Sequence, residues 1–478
     1  MKNDKNGLIN KWETFGGSLP QFSTLVEFGI AVASPMLLLK EGQRNVLLTM
    51  DFDNKIDCQF LQNATFYLST KLAWLPVTAL TSIGESTNAT VQIILDPLQP
   101  SIECFTINPA EVSNACWPVL KITFDKFLND NKCLSPVLKS MEIKVDVSAI
   151  KTLQLFNDFG LLNTKVAYQP FGPAPLPNNS FFIGSNEIFS KPLSAFGIEL
   201  DWDSLPDDFA IYYQQYNDFL NPIPNKEPTS LWKKLWDKTK KVISHKPAPV
   251  LVVEKKPINN NCFTADIFIL ENKSWNAFKM VKQNTCTLQN DNTFKCIPYK
   301  AIIDNELISN TAAPLFTTNS EGENDKISTS SFYAYQPSAD GKNTFASDPT
   351  LQNTELKFTE NTAVGFVKII LTSPVFGFGS AIYPTVIYNA ALDNAKIIIQ
   401  KDKKIPIKLQ PNPPFVPMLK NVKAHYSASA NYTFNNDKNT YPIQVFLYSP
   451  FEHNSVYDLA KILTDIDSAR LDDVEKLF

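Results

Sequence analysis

The strictest constraint on this chain is a two-residue hydrophobic period. In MEIKVDVSAI, Met141, Ile143, Val145 and Val147 alternate with Glu142, Lys144, Asp146 and Ser148. Successive side chains of a strand point to opposite faces, so this segment predicts a strand with one apolar and one wet side. KAHYSASANYTF repeats the pattern, with Ala424, Tyr426, Ala428, Ala430, Tyr432 and Phe434 on one side. Lys423, His425, Ser427, Ser429, Asn431 and Thr433 fall on the other. RNVLLTMDF (Arg44 to Phe52), TVQIILD (Thr90 to Asp96), VGFVKIIL (Val364 to Leu371) and AKIIIQK (Ala395 to Lys401) are further predicted strands.

Helical spacing is rarer. SLPDDFAIYYQQYNDFL opens with Ser204 as a cap, Pro206 in the first turn and Asp207 three residues after the cap. Phe209, Tyr212, Tyr213, Tyr216 and Phe219 then form an aromatic stripe expected to pack into a core. SLWKKLWDKTKKVISHK (Ser230 to Lys246) predicts a basic helix with Leu231, Trp232, Leu235 and Trp236 on one side. SVYDLAKILTDIDSARLDDVEKLF predicts a last helix whose pattern reaches the final residue without a stop signal, as in a chain cut short.

The fold class expected is α+β, mainly β, with β-rich domains joined by proline-rich linkers and a few helices. A length of 478 residues predicts two or three domains. NPIPNKEP and HKPAPVLVVEKKP bracket the basic helix, which divides the chain into a β-rich region 1–229, a basic helix and linker 230–260, a second β-rich region 261–440 and a strand and helix 441–478. TTNSEGENDKISTSS (Thr317 to Ser331) is expected to be a polar loop.

Charge and composition exclude several classes of function. A net charge of −4 argues against a nucleic-acid partner, which requires a basic footprint. The seven cysteines include no CxxC and none has a histidine at ligand spacing, which argues against zinc and predicts free thiols in a reducing compartment. GIAVASPMLLL is too short to span a bilayer and is broken by Pro35, so no direct membrane insertion is expected. The three histidines, His245, His425 and His453, form no HxH or HxxxH and are expected to be solvated or hydrogen-bonded at the surface. DWDSLPDD is accounted for by helix capping better than by a glycosidase carboxylate pair, and GFGS lacks phosphate-loop spacing. No catalytic, cofactor or metal site is predicted, and the chain is expected not to be an enzyme.

What stands out instead is AYQPFGPAPLPNNSFFIGSNEIFSKPL, Ala167 to Leu193, with five prolines and four phenylalanines but no His, Cys or Asp. Prolines fix φ and keep such a segment preformed, and large apolar side chains can anchor a partner. Phe171, Pro173, Phe181, Phe182 and Phe189 are therefore candidate interface residues, with Glu187 and Lys191 as a polar rim. The alternative is that these aromatics close the domain's own core. Arg44, one of two arginines in the chain, is expected to pair bidentately with a carboxylate, either Glu41 or an acid of a partner chain, or else to be a solvated surface residue. Trp232, Trp236, Tyr383, Pro414 and Phe415 complete the candidate interface set.

Taken in order, the motifs resemble one family. FGIAVASPMLLLKEGQRNVLLTMDF (Phe28 to Phe52), FYLSTKLAWLPV (Phe66 to Val77) and LDPLQPSIECF (Leu95 to Phe105) are followed by the most distinctive block, Leu153 to Leu193. DWDSLP, the YYQQY helix, FGFGSAIYPTVIYNAAL (Phe376 to Leu392) and LQPNPPFVPMLKNVKAHYSAS (Leu409 to Ser429) complete the set. The chain resembles the baseplate J-like wedge proteins of contractile injection systems, of the antifeeding-prophage, Photorhabdus-virulence-cassette and type VI-like kind. YLSTKLAWL departs from it by lacking the glycine many relatives carry before the Trp, and the family usually continues past this chain's end.

The resemblance implies a structural wedge set in a six-fold hetero-oligomeric ring. Its partners would be other wedge proteins, including a second large wedge chain, a sheath-initiator-like protein, the hub and spike, and the sheath. It also implies assembly in the bacterial cytoplasm. From the residues alone, a carbohydrate-binding or glycoside-processing β-protein is the alternative. A secreted adhesin would require a signal peptide, and none is evident.

Overall fold

The protein is described here by a computed structural model. It describes residues 28–53, 61, 64–83, 87–104, 116–124, 137–220, 258–259, 262–277, 280–281, 286–288, 294–296, 313–316, 329–335, 345–353, 356–373, 378–400, 407, 409–434, 441–448 and 453–456. The chain is mainly β, its strands pair antiparallel, and its helices are few. It divides into two compact units, each drawn from separated stretches of sequence.

The first unit comprises Met1–Val147, Ser190–Pro192 and Ser427–Phe478. Its first strands are β1 (Phe28–Ala33), β2 (Gln43–Phe52), β3 (Ala64–Ser69), β4 (Trp74–Val77), β5 (Ala79–Ile83), β6 (Asn88–Leu95) and β7 (Val119–Phe124), followed by the start of β8 (Leu138–Ile150). The second unit comprises Ser148–Phe189 and Leu193–Tyr426. It holds β9 (Gln154–Asn157), β10 (Gly160–Leu161), β11 (Ser180–Gly184), β12 (Leu193–Asp203), β13 (Thr264–Glu271), β14 (Ser274–Ala277), β15 (Met280–Val281), β16 (Cys286–Leu288), β17 (Phe294–Cys296), β18 (Ala313–Pro314), β19 (Thr329–Tyr335), β20 (Phe366–Ser373) and most of β21 (Met418–Thr433). The chain then re-enters the first unit for β22 (Gln444–Tyr448) and β23 (His453–Val456). Among the described residues the α-helices are α1 (Asn186–Phe189), α2 (Phe209–Tyr212), α3 (Gln214–Leu220) and α4 (Tyr383–Gln400), in the second unit.

In the first unit one sheet has the order β23-β22-β1-β7-β3-β4. β1, the FGIAVA of the apolar run, lies in its middle between β22 and β7. Ser34 ends it, accepting from Met36 N at 3.2 Å and donating to Pro442 O at 3.1 Å, and Pro35 opens a single tight turn. The alternating strands behave as their period dictates. Met141, Ile143, Val145 and Val147 of β8 are at most 1% exposed, and Val46, Leu48 and Met50 of β2 face Ile93, Val91 and Ala89 of β6 in register.

Arg44 is buried completely. Its guanidinium donates to the main-chain carbonyls of Leu39 at 3.2 Å, Asp96 at 2.7 Å, Gln99 at 2.9 Å and Pro100 at 2.9 Å. The expectation of a surface arginine or of an anchor for a partner's acid is corrected: Arg44 ties the turn after β6 to the entry of β2. A rigid fork of donors suits carbonyls converging from several directions, which a single ammonium matches poorly. Lys191, expected at a polar rim, is also buried, with Nζ donating to Leu38 O at 2.7 Å.

Cysteine usage requires a further correction. Cys104 and Cys116 form a disulfide across a separation of 12 residues, so not every thiol is free. Cys262 is outside any disulfide; it is half-buried, and its sulfur accepts from Asn259 N at 3.4 Å.

In the second unit the larger sheet runs β10-β9-β11-β20-β13-β14, with β18 pairing β13. β15, β19 and β12 lie side by side with β21 next to them, and β16 and β17 form a separate hairpin. Two local expectations change here. The helix expected from Ser204 begins at Asp208, which caps by accepting from Ala210 N at 2.6 Å, whereas Ser204 lies in a left-handed conformation at φ 55°. AKIIIQ is not a strand but the last third of helix α4. Its β-branched run mimics a strand locally, yet it continues a helical spacing that starts before Pro384.

The last three residues of the expected polar loop, Thr329–Ser331, belong to β19, and Ser455 and Val456 belong to β23 rather than to a terminal helix. The basic helix at 230–246 and the rest of the C-terminal helix lie outside the described residues.

Replacing Arg44 with Lys keeps the charge but leaves carbonyls of the 96–100 turn unpaired. The expected loss is roughly 2 kcal/mol of stability, seen as a lower urea midpoint with an unchanged slope. An unchanged midpoint would contradict this role.

Candidate interaction surface

The distinctive block Leu153 to Leu193 folds as a hairpin, a proline-rich turn, a strand and a helical turn in the second unit, with Ser190–Pro192 belonging to the first. Its polar residues hold main chain. Asn157 donates to Gln169 O at 3.1 Å and accepts from Phe159 N at 2.9 Å, closing the β9–β10 turn onto the following loop. Asp158 accepts from Ser180 N at 2.8 Å, and Asn179 accepts from Leu176 N at 2.6 Å. Tyr168 exchanges both main-chain bonds with Leu419. Such side chain to backbone bonds supply partners that a loop lacks when it leaves a ladder.

The aromatics of the block divide. Phe171, Phe181 and Phe189 are at most 1% exposed, so the expectation that they anchor a partner is corrected: they belong to the unit's own core. Glu187 is buried as well and accepts from Tyr426 Oη at 3.0 Å, so it forms no rim. Phe182 is half-buried, stacked on Phe156 at 5.0 Å and close to Phe358 and Trp275. Pro173 is exposed.

Pro173 borders a cleft of about 240 Å³ lined by Phe159, Gly160, Leu161 and Leu162 of the hairpin and by Gln169 and Gly172 of the turn, together with Asn157. Gly172 has φ +80°, and a Cβ there would lie 2.3 Å from the Phe159 ring, so the ring rests on a position that only glycine fills well. Phe159 is nevertheless 72% exposed and Leu161 is 79% exposed. The lining holds no ionisable side chain. The cleft is suited to an apolar side chain and offers no acid, base or nucleophile.

The remaining candidates cluster elsewhere in the same unit. Phe415 is half-buried against Phe209 at 5.3 Å and Phe378 at 6.1 Å, next to the half-buried Pro414. Tyr383 is half-buried and stacks on Tyr216 at 6.1 Å. The aromatic stripe of α2 and α3 packs as expected at Phe209, Tyr213 and Tyr216, all fully buried. Trp232 and Trp236 lie outside the described residues. Phe159, Leu161, Tyr388, Leu392 and Ile399 are exposed apolar residues that the sequence reading passed over. For Phe159 the available signal was a phenylalanine at a two-residue turn after Asn-Asp. For Tyr388, Leu392 and Ile399 it was helical spacing, masked at Ile399 by the strand expected over Ala395 to Lys401.

His425 corrects another expectation. It is 8% exposed, accepts from Ala149 N at 3.2 Å through Nδ1, and presents Nε2 3.5 Å from Glu199. Lys423 Nζ also reaches Glu199, at 2.6 Å. The bonds from His425 and then Lys423 outweigh desolvation and hold the Glu199 carboxyl at about 2, well below its ordinary 4.5. The group is a polar lock between β12 and β21. Among the described residues, no three His, Cys, Asp or Glu side chains converge as a metal site requires, and no helix is long and apolar enough to cross a membrane. No family model matches this chain, and no curated protein matches it either.

A carboxyl depressed on folding stabilises the fold above its unfolded pKa, and that contribution is lost as pH falls through the folded value. Glu199→Gln is therefore expected to destabilise the protein near neutral pH. The difference from the parent should shrink from about pH 5 downward and vanish only below about pH 2, as measured by urea midpoints across pH. A difference independent of pH would contradict the lock.

Proposed function

We propose that the chain is a structural wedge component of the baseplate of a phage-tail-like contractile injection system. In this reading it sits in a six-fold ring, links the central hub and spike to the sheath, and helps to trigger contraction. It is not an enzyme and uses no cofactor. Its partners are other wedge chains, a sheath-initiator-like protein, the hub and spike, and the sheath. The long colinear motif resemblance motivates the reading.

One observation carries it: the motif residues Arg44, Asn157, Asp158 and Asn179 hold main chain in place, and the block holding the last three presents exposed Phe159 and Leu161. A scaffold that fixes its loops so firmly and leaves large apolar side chains uncovered fits a chain made to dock other chains. Assembly takes place in the bacterial cytoplasm. The Cys104–Cys116 bond favours a particle that later meets oxidising surroundings. The half-buried Trp275 is not an open face for a sugar, since Lys368 Nζ lies 4.5 Å over its ring.

Deleting the coding sequence from the native host is expected to abolish assembled sheathed tubes in negative-stain images, with rescue by the intact chain. Unchanged tubes, or retention of the purified chain on a polysaccharide column, would contradict the wedge reading.

A further inference from the structure

The hairpin β16–β17 stands alone. It is a two-stranded sheet that pairs with no third strand among the described residues. Two strands by themselves are marginally stable in water, because one ladder offsets little of the entropy lost on ordering them. Its register shows what is at hand to hold it. Cys286 faces Cys296, Thr287 faces Lys295 and Leu288 faces Phe294. Alternation places Cys286, Cys296, Leu288 and Phe294 on one face of the hairpin, with Thr287 and Lys295 on the other.

We propose that Cys286 and Cys296 form a second disulfide, which staples the open end of this hairpin. Two independent observations support it. The first is the register. Directly opposed residues of an antiparallel pair have Cα atoms about 4.5 or 5.5 Å apart, according to whether the pair exchanges hydrogen bonds, and a disulfide spans Cα separations of about 4.4 to 6.8 Å. Either kind of pair lies within reach without a shift of the backbone. The second is the redox state of the chain. Cys104 and Cys116 are bonded to each other at a Cα separation of 5.3 Å, so the protein is one whose thiols oxidise.

The facing cysteines are the outermost of the three facing pairs, farthest from the connection between the strands. A bond there closes the hairpin into a ring and restricts the unfolded chain, which is how a crosslink stabilises. The oxidant is a low-molecular-weight disulfide. The thiolate of one cysteine attacks one of its sulfurs and displaces a first thiolate. The thiolate of the other cysteine then attacks the protein sulfur of this mixed disulfide and displaces the second. Two electrons and two protons leave the protein, and the oxidant becomes two thiols. The inference stands apart from the wedge reading, since it rests on the register and on the first disulfide.

Peptide mapping of the full-length chain tests it. The chain is incubated with oxidised glutathione, alkylated without reduction and digested with trypsin, which cuts after Lys282, Lys295 and Lys300 and so parts the two cysteines. The expected product is residues 283–295 joined to residues 296–300, alongside the peptides joined through Cys104 and Cys116. In the folded chain, cleavage after Lys295 is expected to be at least about tenfold slower in the oxidised parent than in an oxidised variant carrying Cys286→Ser and Cys296→Ser. Recovery of Cys286 and Cys296 on separate alkylated or glutathione-bound peptides overturns the proposal, whether or not Cys104 and Cys116 are joined. So does a crosslink from either to Cys58, Cys133 or Cys262, or an equal rate of cleavage in parent and variant.

Discussion

Burial of one aromatic cluster organises the second unit. Phe209, Phe263, Phe316 and Phe378 pack with ring centroids between 4.7 and 6.1 Å for the contacting pairs, and Phe415 closes on Phe209 at 5.3 Å. These rings come from five separated stretches of sequence, so the cluster fixes where those stretches meet. Tyr213 adds direction to an otherwise greasy contact: its hydroxyl donates to Phe378 O at 2.7 Å and accepts from Phe415 N at 3.1 Å. Tyr216 and Tyr212 reach the carbonyls of Asn412 and Pro413, each at 2.8 Å. A buried phenol must find a partner, and here the partners are backbone groups of the proline-rich segment before β21, which has no ladder of its own. Helix α4 is mounted on the same cluster through Tyr383 against Tyr216. At Gly379, φ +96°, a Cβ would lie 2.8 Å from the Tyr216 ring.

A second theme is the use of polar side chains as main-chain ties. Arg44 looks in sequence like a candidate for charge chemistry, yet it satisfies carbonyls of a loop, and Asn157, Asp158 and Asn179 likewise hold loop carbonyls or amides. The ties join blocks that are far apart in the chain: Arg44 brings the EGQR segment onto LDPLQP, and the Tyr168–Leu419 bridge brings the proline turn onto the start of β21. Firmly tied loops lose little entropy on docking, which is what a component of a large assembly needs.

The strands were legible where one face is buried and the other is not. β2, β6, β8, β20 and β21 show the period, and their apolar sides are buried, although Asn45 of β2, Asp146 and Ser148 of β8 and His425 of β21 are buried on the polar side. AKIIIQ was illegible because three consecutive isoleucines satisfy a strand locally, while the spacing that makes them helical spans the whole of α4. His425 was misjudged because a polar face can itself be covered: Glu199 on β12 supplies the partner, and no pattern within β21 reveals it. The fate of Phe171, Phe181 and Phe189 was also out of reach, since an aromatic in a proline-rich segment serves a core or a partner equally well until its neighbours are known. The discontinuity of the two units, with chain crossings at Val147, Ser190–Pro192 and Tyr426, leaves no mark in composition because two of the crossings fall inside β8 and β21.

The central claim is that this chain is a ring-forming structural part of a sheathed particle. Cryo-electron microscopy of intact particles from the native host tests it most directly. The account predicts density for both units repeated about a six-fold axis at the end of the sheathed tube, with neighbouring chains seated on Phe159 and Leu161. Particles whose baseplate is complete without this chain would contradict it.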